Sequence, residues 1–232
     1  LELWTGTHTP FNVRSDLARI FSLDEEQVRV VCPPIGGSFG AKTFVHIEAI
    51  TAALARKASR PVRLVLPRSE LWVTNNRHPA LLRVRIGATA DGLLVAKEVD
   101  SSIDTGAYAD CGPGVAVKIG FSAVGPYRIP HVAVDSRCVY TNLPPNGAFR
   151  GFGATQAAWA SERTLDMLAE RLGLPQVTYA SELTLGDGTV TIRRDGDTAS
   201  ETIEASLPAL ISVTDQINEP RYPSFKGLMA AK

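Results

Sequence analysis

The stretch Asn142-Leu143-Pro144-Pro145-Asn146-Gly147-Ala148-Phe149-Arg150-Gly151-Phe152-Gly153 limits the possible folds more than any other. Pro144 and Pro145 have no N–H to give a helix or a ladder, and Asn-Gly favours a tight turn. Gly151 and Gly153 flank Phe152, so backbone can come close to a bulky neighbour there. A helical pattern begins at Ala154. It sets Ala158, Leu165, Leu168 and Leu172 on one stripe and places Gly173 as the C′ stop. Arg150 is thereby held in a rigid turn before a helix N-terminus, where anions are favoured. Spacing alone leaves two readings, a packed connection with a solvated arginine or an anion-facing site.

Upstream of the turn, Leu1-Glu2-Leu3-Trp4 alternates as a strand does, and Thr5 to Pro10 is a small polar loop. Ser15 is placed to cap a short helix from Asp16 to Phe21, and Ser22 with Glu25 forms a second, box-like cap. The acidic run Asp24-Glu25-Glu26 fits a solvated helix start. Val28 to Cys32 predicts a buried strand, followed by the glycine-rich loop Gly36-Gly37-Ser38-Phe39-Gly40-Ala41-Lys42. A helix from Phe44 to Lys57 is expected next, with Ile47, Ile50 and Leu54 inward. Gly36 and Lys42-Thr43 have the spacing of a P-loop, but Ala41 replaces its second glycine and no Walker-B-like strand accompanies it.

Pro61 to Leu66 predicts a short strand, with a polar turn at Asn75-Asn76 after it. Leu81 to Ile86 and Leu93 to Val99 form a hairpin about Gly92, and Val132 to Tyr140 alternates as a further strand. Ser101 to Pro126 matches no period. Strands interleaved with two amphipathic helices indicate an α+β (mixed α/β) fold. Lys plus Arg and Asp plus Glu number 24 each, so no net field points to nucleic acid. Three widely spaced cysteines, Cys32, Cys111 and Cys138, without a CxxC pair give no support for an iron–sulfur or zinc site, and no protein metal ligands are assigned. They read as reduced thiols, which implies a cytoplasmic protein. No apolar run is long enough to span a membrane, no signal peptide opens the chain, and the start at Leu1 suggests an excised fragment.

Ala148-Phe149-Arg150-Gly151-Phe152-Gly153, followed by Gln156, resembles the AFRGFG motif of the xanthine dehydrogenase/aldehyde oxidase family. The loop Gly36 to Lys42 is similar to that family's GGGFGGK loop, in the same order and at a similar separation. The resemblance covers residues 1 to about 174 and implies part of the large, molybdopterin-binding subunit, here a partial domain over 1–173. That family oxidises electron-poor carbon with a molybdenum-molybdopterin cofactor and passes electrons to iron–sulfur and FAD subunits. Such chemistry needs a general base and a cation where negative charge develops.

By the resemblance, Arg150 is the catalytic cation, and Gly37, Ser38, Phe39 and Gly40 lie beside the cofactor, Phe39 nearest. His8 stands where the best-known members carry a glutamine near the metal's apical ligand. Thr43 replaces a substrate-facing glutamate, which argues against purine specificity. Lys118 falls where purine-oxidising members carry a substrate-side arginine, and Phe149 faces the substrate. The family's base, a glutamate in a GVGE-like motif, has no counterpart here. Glu48, Glu162 and Glu170 lie on expected helices and read as surface charges, and His46, His78 and His131 are weaker site candidates than His8. With two pterin-contacting loops, the chain is expected to lack catalysis and not to retain the cofactor.

A second resemblance begins at the helix end. Leu174-Pro175-Gln176-Val177-Thr178-Tyr179-Ala180-Ser181, Leu207-Pro208-Ala209, Asn218-Glu219-Pro220-Arg221-Tyr222-Pro223 and Met229-Ala230-Ala231-Lys232 are similar to the later part of the electron transfer flavoprotein β subunit. The segment 174–232 reads as a short β-rich piece: a hairpin from Leu183 to Arg194, a turn at Asp195-Gly196, a buried strand Leu210 to Val213 and an extended tail. It lacks nucleotide-binding strands, so that family's FAD/AMP site is absent. The resemblance implies docking of a flavin-dependent dehydrogenase through Phe225. The expectation is a composite chain, either a fragment that needs the remaining molybdopterin domain, a docking module, or a chimera without its own function.

Overall fold

Alternation puts Leu3 inward between exposed Glu2 and Trp4, and the computed structural model, which describes residues 1–219 and 224–230, forms β1 (Glu2–Trp4) from them. The next helix, α1 (Pro10–Phe21), starts well before the expected Asp16. Pro10 brings a preset φ to the first turn, where its missing N–H costs no bond. Ser22 is the left-handed C-cap of α1 (φ 54), its N–H donating to the Arg19 carbonyl, and it does not cap the turn that follows. The capping box belongs instead to Asp24 and Gln27, around a 3-10 turn at Glu25–Gln27. β2 (Arg29–Val31) pairs in parallel with β1, and it is half-exposed, not buried, because that sheet has two strands only among the described residues. Leu3, Val13, Leu17, Ala18 and Val28 pack as one core cluster.

α2 (Glu48–Ala58) begins later than the expected Phe44. The Glu48 carboxylate accepts from the His46 N–H and the Thr5 hydroxyl, each at 2.8 Å, and so fixes the first turn; it is not a free surface charge. Ala52 is buried, whereas Ile50 and Leu54, expected inward, are 55% and 44% exposed. Pro61 to Leu66 keeps its alternation, with Val62, Leu64 and Leu66 half-buried, but it pairs with no described strand. A 3-10 segment, Arg68–Val73, follows.

β3 (Ala80–Ala88) and β4 (Leu94–Gly106) form the expected hairpin, with Gly92 at φ +86 in its turn. The stretch without a legible period holds the end of β4 and then α3 (Gly112–Ser122). α3 is apolar on its outer side too, at Val117 and Phe121, which erases any stripe. β5 (His131–Tyr140) completes a sheet of order β3-β4-β5. α4 (Ala154–Leu172) ends at Gly173 (φ +67) as expected. Its buried stripe runs Ala157, Ala160, Ser161, Leu165 and Ala169, while Ala158 is exposed. Ile103, Val115, Ala116, Ile119 and Ala157 form the second core cluster.

The chain divides into two compact units, one of Leu1–Val84, Glu98–Tyr127 and Ala133–Ala160, the other of Arg85–Lys97, Arg128–Val132 and Ser161–Lys232. The second unit contains β6 (Gln176–Leu185), β7 (Thr189–Asp195), β8 (Ser200–Ser206) and β9 (Leu210–Val213) in the order β8-β7-β6-β9. Neighbours β6–β7 and β7–β8 are antiparallel, and β9 runs parallel to β6. As an edge strand β9 is half-exposed, not buried. Val177, Ala180, Val190 and Ile192 make this unit's core. At the turn, Asp195 accepts from Ser200, Ser181 and Arg193, which hold its carboxyl down at about 2. The expected extended tail contains a short helix, α5 (Phe225–Ala230), whose Gly227 N–H donates to the Ser224 hydroxyl at 3.2 Å. Pro220, Arg221, Tyr222, Pro223, Ala231 and Lys232 of the tail motifs lie outside the described residues. No helix among the described residues is long and apolar enough to cross a membrane.

Candidate functional site

In the first unit the glycine-rich loop after β2 and the turn before α4 are clasped to each other. The Arg150 N–H donates to the Phe39 carbonyl at 2.9 Å. Gly40, at φ +103, lies against the Ala148 carbonyl so closely that a Cβ would collide with it and stand 3.0 Å from the Phe149 nitrogen. Phe39 is itself left-handed (φ 50), which turns its ring outward to 64% exposure. Gly37 leaves space for that ring, because a Cβ there would run into it. The Arg150 guanidinium lies 5.6 Å from the Phe39 ring centroid, within cation–π range.

His8 joins the same assembly. Its Nδ1 is 2.7 Å from the Ser38 hydroxyl and its Nε2 is 3.3 Å from that of Thr43. A neutral imidazole donates at one nitrogen and accepts at the other, and either hydroxyl can complement it. The His8 N–H donates to the Lys42 carbonyl at 3.2 Å, and the Thr9 hydroxyl to the Thr43 carbonyl at 2.6 Å, so the segment before α1 laces this loop in place.

A strap of residues 75–78 holds the turn from its other side, and the sequence showed it only as a polar turn. Asn75 Nδ2 donates to the Ala148 carbonyl at 2.7 Å, and the Gly147 N–H to the Asn76 carbonyl at 2.9 Å. Arg77 donates to the Arg150 carbonyl at 2.7 Å, and its guanidinium lies 4.9 Å from the Phe149 ring centroid. Gln156 donates to the His78 carbonyl at 3.2 Å and accepts from the Gly153 N–H at 3.0 Å. His78 is 2% exposed and its Nε2 has no partner. Burial pushes its pKa down, against the pull of Asp104 and the Gly147 backbone. Asn-Asn-Arg-His is the only sequence signal for this strap, and it carries no period.

Of the other expected site residues, Phe149 is 43% exposed on the turn. Lys118 is exposed on α3 at the level of Gly153, whose added Cβ would stand 3.0 Å from the Lys118 Cβ. Phe225, 88% exposed, belongs to the second unit and its helix α5. Thus His8, Gly37, Ser38, Phe39, Gly40, Thr43, Phe149 and Arg150 are gathered in one place. Arg150 and His8 are exposed there, and Ser38 and Thr43 half-buried. An exposed guanidinium beside an open aromatic ring, with one of the two hydroxyls left a free proton by a neutral imidazole, suits an anionic, oxygen-rich group. The described residues contain no cluster of three His, Cys, Asp or Glu able to hold a metal directly. The side chains gathered here offer positive charge and hydrogen bonds to a bound group, not direct metal ligation.

The family of the molybdopterin cofactor-binding domain matches residues 1–181, and the electron transfer flavoprotein domain matches residues 152–232. The chain is 41% identical over 173 residues to a probable xanthine dehydrogenase subunit of Bacillus subtilis, a span of 74% of this chain and 23% of that protein. It is 38% identical over 178 residues to the nicotinate dehydrogenase large molybdopterin subunit of Eubacterium barkeri, covering 76% of this chain and 42% of the relative. Among solved structures, the aldehyde oxidoreductase from Desulfovibrio desulfuricans superposes with a TM-score of 0.70 at 27% identity, over 74% of this chain and 19% of that one. The chain thus spans less than half the length of each of these relatives. With the greater part of its residues matched, this chain belongs to the molybdopterin cofactor-binding domain family.

Proposed function

We propose that residues 1 to about 173 are a section of the large subunit of a xanthine dehydrogenase/aldehyde oxidase-like molybdenum hydroxylase, forming one wall of its cofactor and substrate site. The supporting observation is the clasp between two loops distant in sequence, with the Arg150 N–H on the Phe39 carbonyl and the Arg150 side chain left exposed. Bound molybdenum-molybdopterin supplies the redox chemistry of carbon hydroxylation. The chain's own part is to place and orient. Gly37, Ser38, Phe39 and Gly40 line the cofactor side, and His8, with both ring nitrogens engaged by Ser38 and Thr43, fixes the position of those two hydroxyls. Arg150 offers a cation where negative charge develops on the substrate. Phe149, Thr43 and Lys118 border the substrate, and a neutral Thr43 disfavours a purine.

The general base, the iron–sulfur and FAD subunits and the remaining molybdopterin domain then belong to other parts of a cytoplasmic enzyme. The chain by itself is then catalytically silent. Purified chain is expected to carry no stoichiometric molybdenum by elemental mass spectrometry, since two loops supply too few contacts for the cofactor. Near-equimolar molybdenum would overturn that expectation.

The segment from about residue 174 is proposed as an electron transfer flavoprotein β-like tail. One observation favours a docking role for it: Phe225 and Met229, one helical turn apart on α5, are 88% and 70% exposed. The proposed partner is a flavin-dependent dehydrogenase, docked without electron transfer. Phe225→Ala is expected to abolish a weak complex, at a cost of roughly 2 kcal/mol of binding or more, and to leave the melting temperature unchanged. A large fall in melting temperature, with no complex in either form, would show Phe225 to be core.

A further inference from the structure

A trough runs along the first unit between two extended segments that are both short of a neighbour. β1 pairs with β2 through Glu2↔Arg29, Leu3↔Val30 and Trp4↔Val31, and no described strand takes its other edge. Across the trough lies the segment from Pro61 to Leu66, with the alternation of a strand and no ladder. The space between is about 700 Å³, with Ile47 just before α2, Ala55 from α2, and Val62 and Leu64 from the far rim among its apolar lining. It continues into a hollow of about 350 Å³ that shares Trp4 and Leu64 and extends past Leu66. Unpaired edges of this kind are templates for another strand. A sheet of two short strands is also marginal, and a third strand over an apolar face remedies that.

The charges in the trough are unbalanced. Glu2 already accepts from the Trp4 indole and pairs with Arg29. Glu48 is engaged by the Thr5 hydroxyl and the His46 N–H. Arg60 and Arg63 line the same space, and among the described residues neither side chain meets a carboxylate. An occupant is therefore expected to bring an acidic residue to that end.

We propose that the trough holds an extended strand from the part of the large subunit that lies outside this chain. That strand pairs with the free edge of β1, sets alternate apolar side chains onto Ile47, Ala55 and Leu64, and turns an acidic residue to Arg60 and Arg63. The proposal rests on the hydroxylase reading above. The match to the Bacillus subtilis relative covers 23% of that protein, so most of its length is available to supply such a strand. A second copy of this chain is a poorer occupant. In a symmetric contact through the same trough it offers either the three-residue β1 or the segment bearing Arg60 and Arg63, which would set like charges together.

The test uses the purified chain and short overlapping synthetic peptides tiled over the Bacillus subtilis relative beyond its matched region, read by fluorescence anisotropy and amide hydrogen exchange. Binding is expected only for peptides that alternate apolar residues and carry an acidic one, with exchange slowed at the Glu2 and Trp4 amides. The double variant Arg60→Glu, Arg63→Glu, altered at exposed positions, is expected to weaken binding about tenfold. The proposal is overturned if no peptide binds, or if binding leaves the Glu2 and Trp4 amides unprotected. A concentration-dependent dimer that protects those amides without peptide would give the trough to a second copy and also overturn it. The hydroxylase reading is judged separately, by the effect of Arg150→Met on the rate of a complete enzyme. A lost rate without peptide binding sinks the trough alone, and peptide binding with an unaltered rate sinks the site alone.

Discussion

Arg150→Met, made after grafting residues 1–173 into a complete homologous enzyme, is expected to lower kcat/KM by about 100-fold or more with the fold intact. Removing one preorganised donor from the place where charge develops typically has an effect of that order. The structure explains why the fold should survive. The turn is held at Arg150 through its backbone, by the N–H to the Phe39 carbonyl and the carbonyl accepting from Arg77, and methionine preserves both. What the fold loses is the exposed guanidinium over the Phe39 ring, a contact of about 0.5–1 kcal/mol. Thermal melting should therefore barely move while the rate collapses. A rate change under roughly threefold would reduce Arg150 to a packed connection with a solvated side chain.

Gly40→Ala and Gly153→Ala are each expected to lose about 3 kcal/mol of stability or more. Both positions have positive φ, +103 and +79, which an alanine adopts only with strain. Both also face backbone, which cannot swing away. At Gly153 a Cβ would stand 2.7 Å from the Val115 carbonyl oxygen and 3.0 Å from the Ile119 nitrogen, and at Gly40 it would enter the Ala148 carbonyl. Gly173 is the control, because its φ is +67 but nothing lies within 4 Å of an added Cβ. Gly173→Ala should cost only the conformational strain, about 1 kcal/mol. Gly151→Ala should fall between, since the atom it meets, the Thr155 hydroxyl, belongs to a side chain that can rotate. A melting temperature equal to wild type would contradict, for Gly40→Ala, the close approach of the two loops and, for Gly153→Ala, the close approach of the turn to α3.

Local chemistry was enough to place the β3–β4 hairpin about Gly92, the strand β5, and α4 with its stop at Gly173. In each case the signal lies within a few residues, in alternation, a helical stripe or a glycine that needs positive φ. The same local reasoning misplaced the start of α1, because Pro10 reads as the end of a loop when it is the first residue of a helix. It also turned Ile50 and Leu54 of α2 inward, since a stripe shows which side is apolar but not whether a neighbour covers it. At the site, the turn before α4 and the importance of its glycines could be read from residues 142–153 alone. Association of that turn with the Gly36–Lys42 loop came from the family resemblance and from no periodicity. Tertiary structure alone decided that Gly40 abuts the Ala148 carbonyl, that His8 bridges Ser38 and Thr43, and that Arg77 braces Arg150 and Phe149. Each of these contacts joins residues far apart in the chain, and a hydrogen bond across such a distance leaves no trace in the order of residues on either side of it.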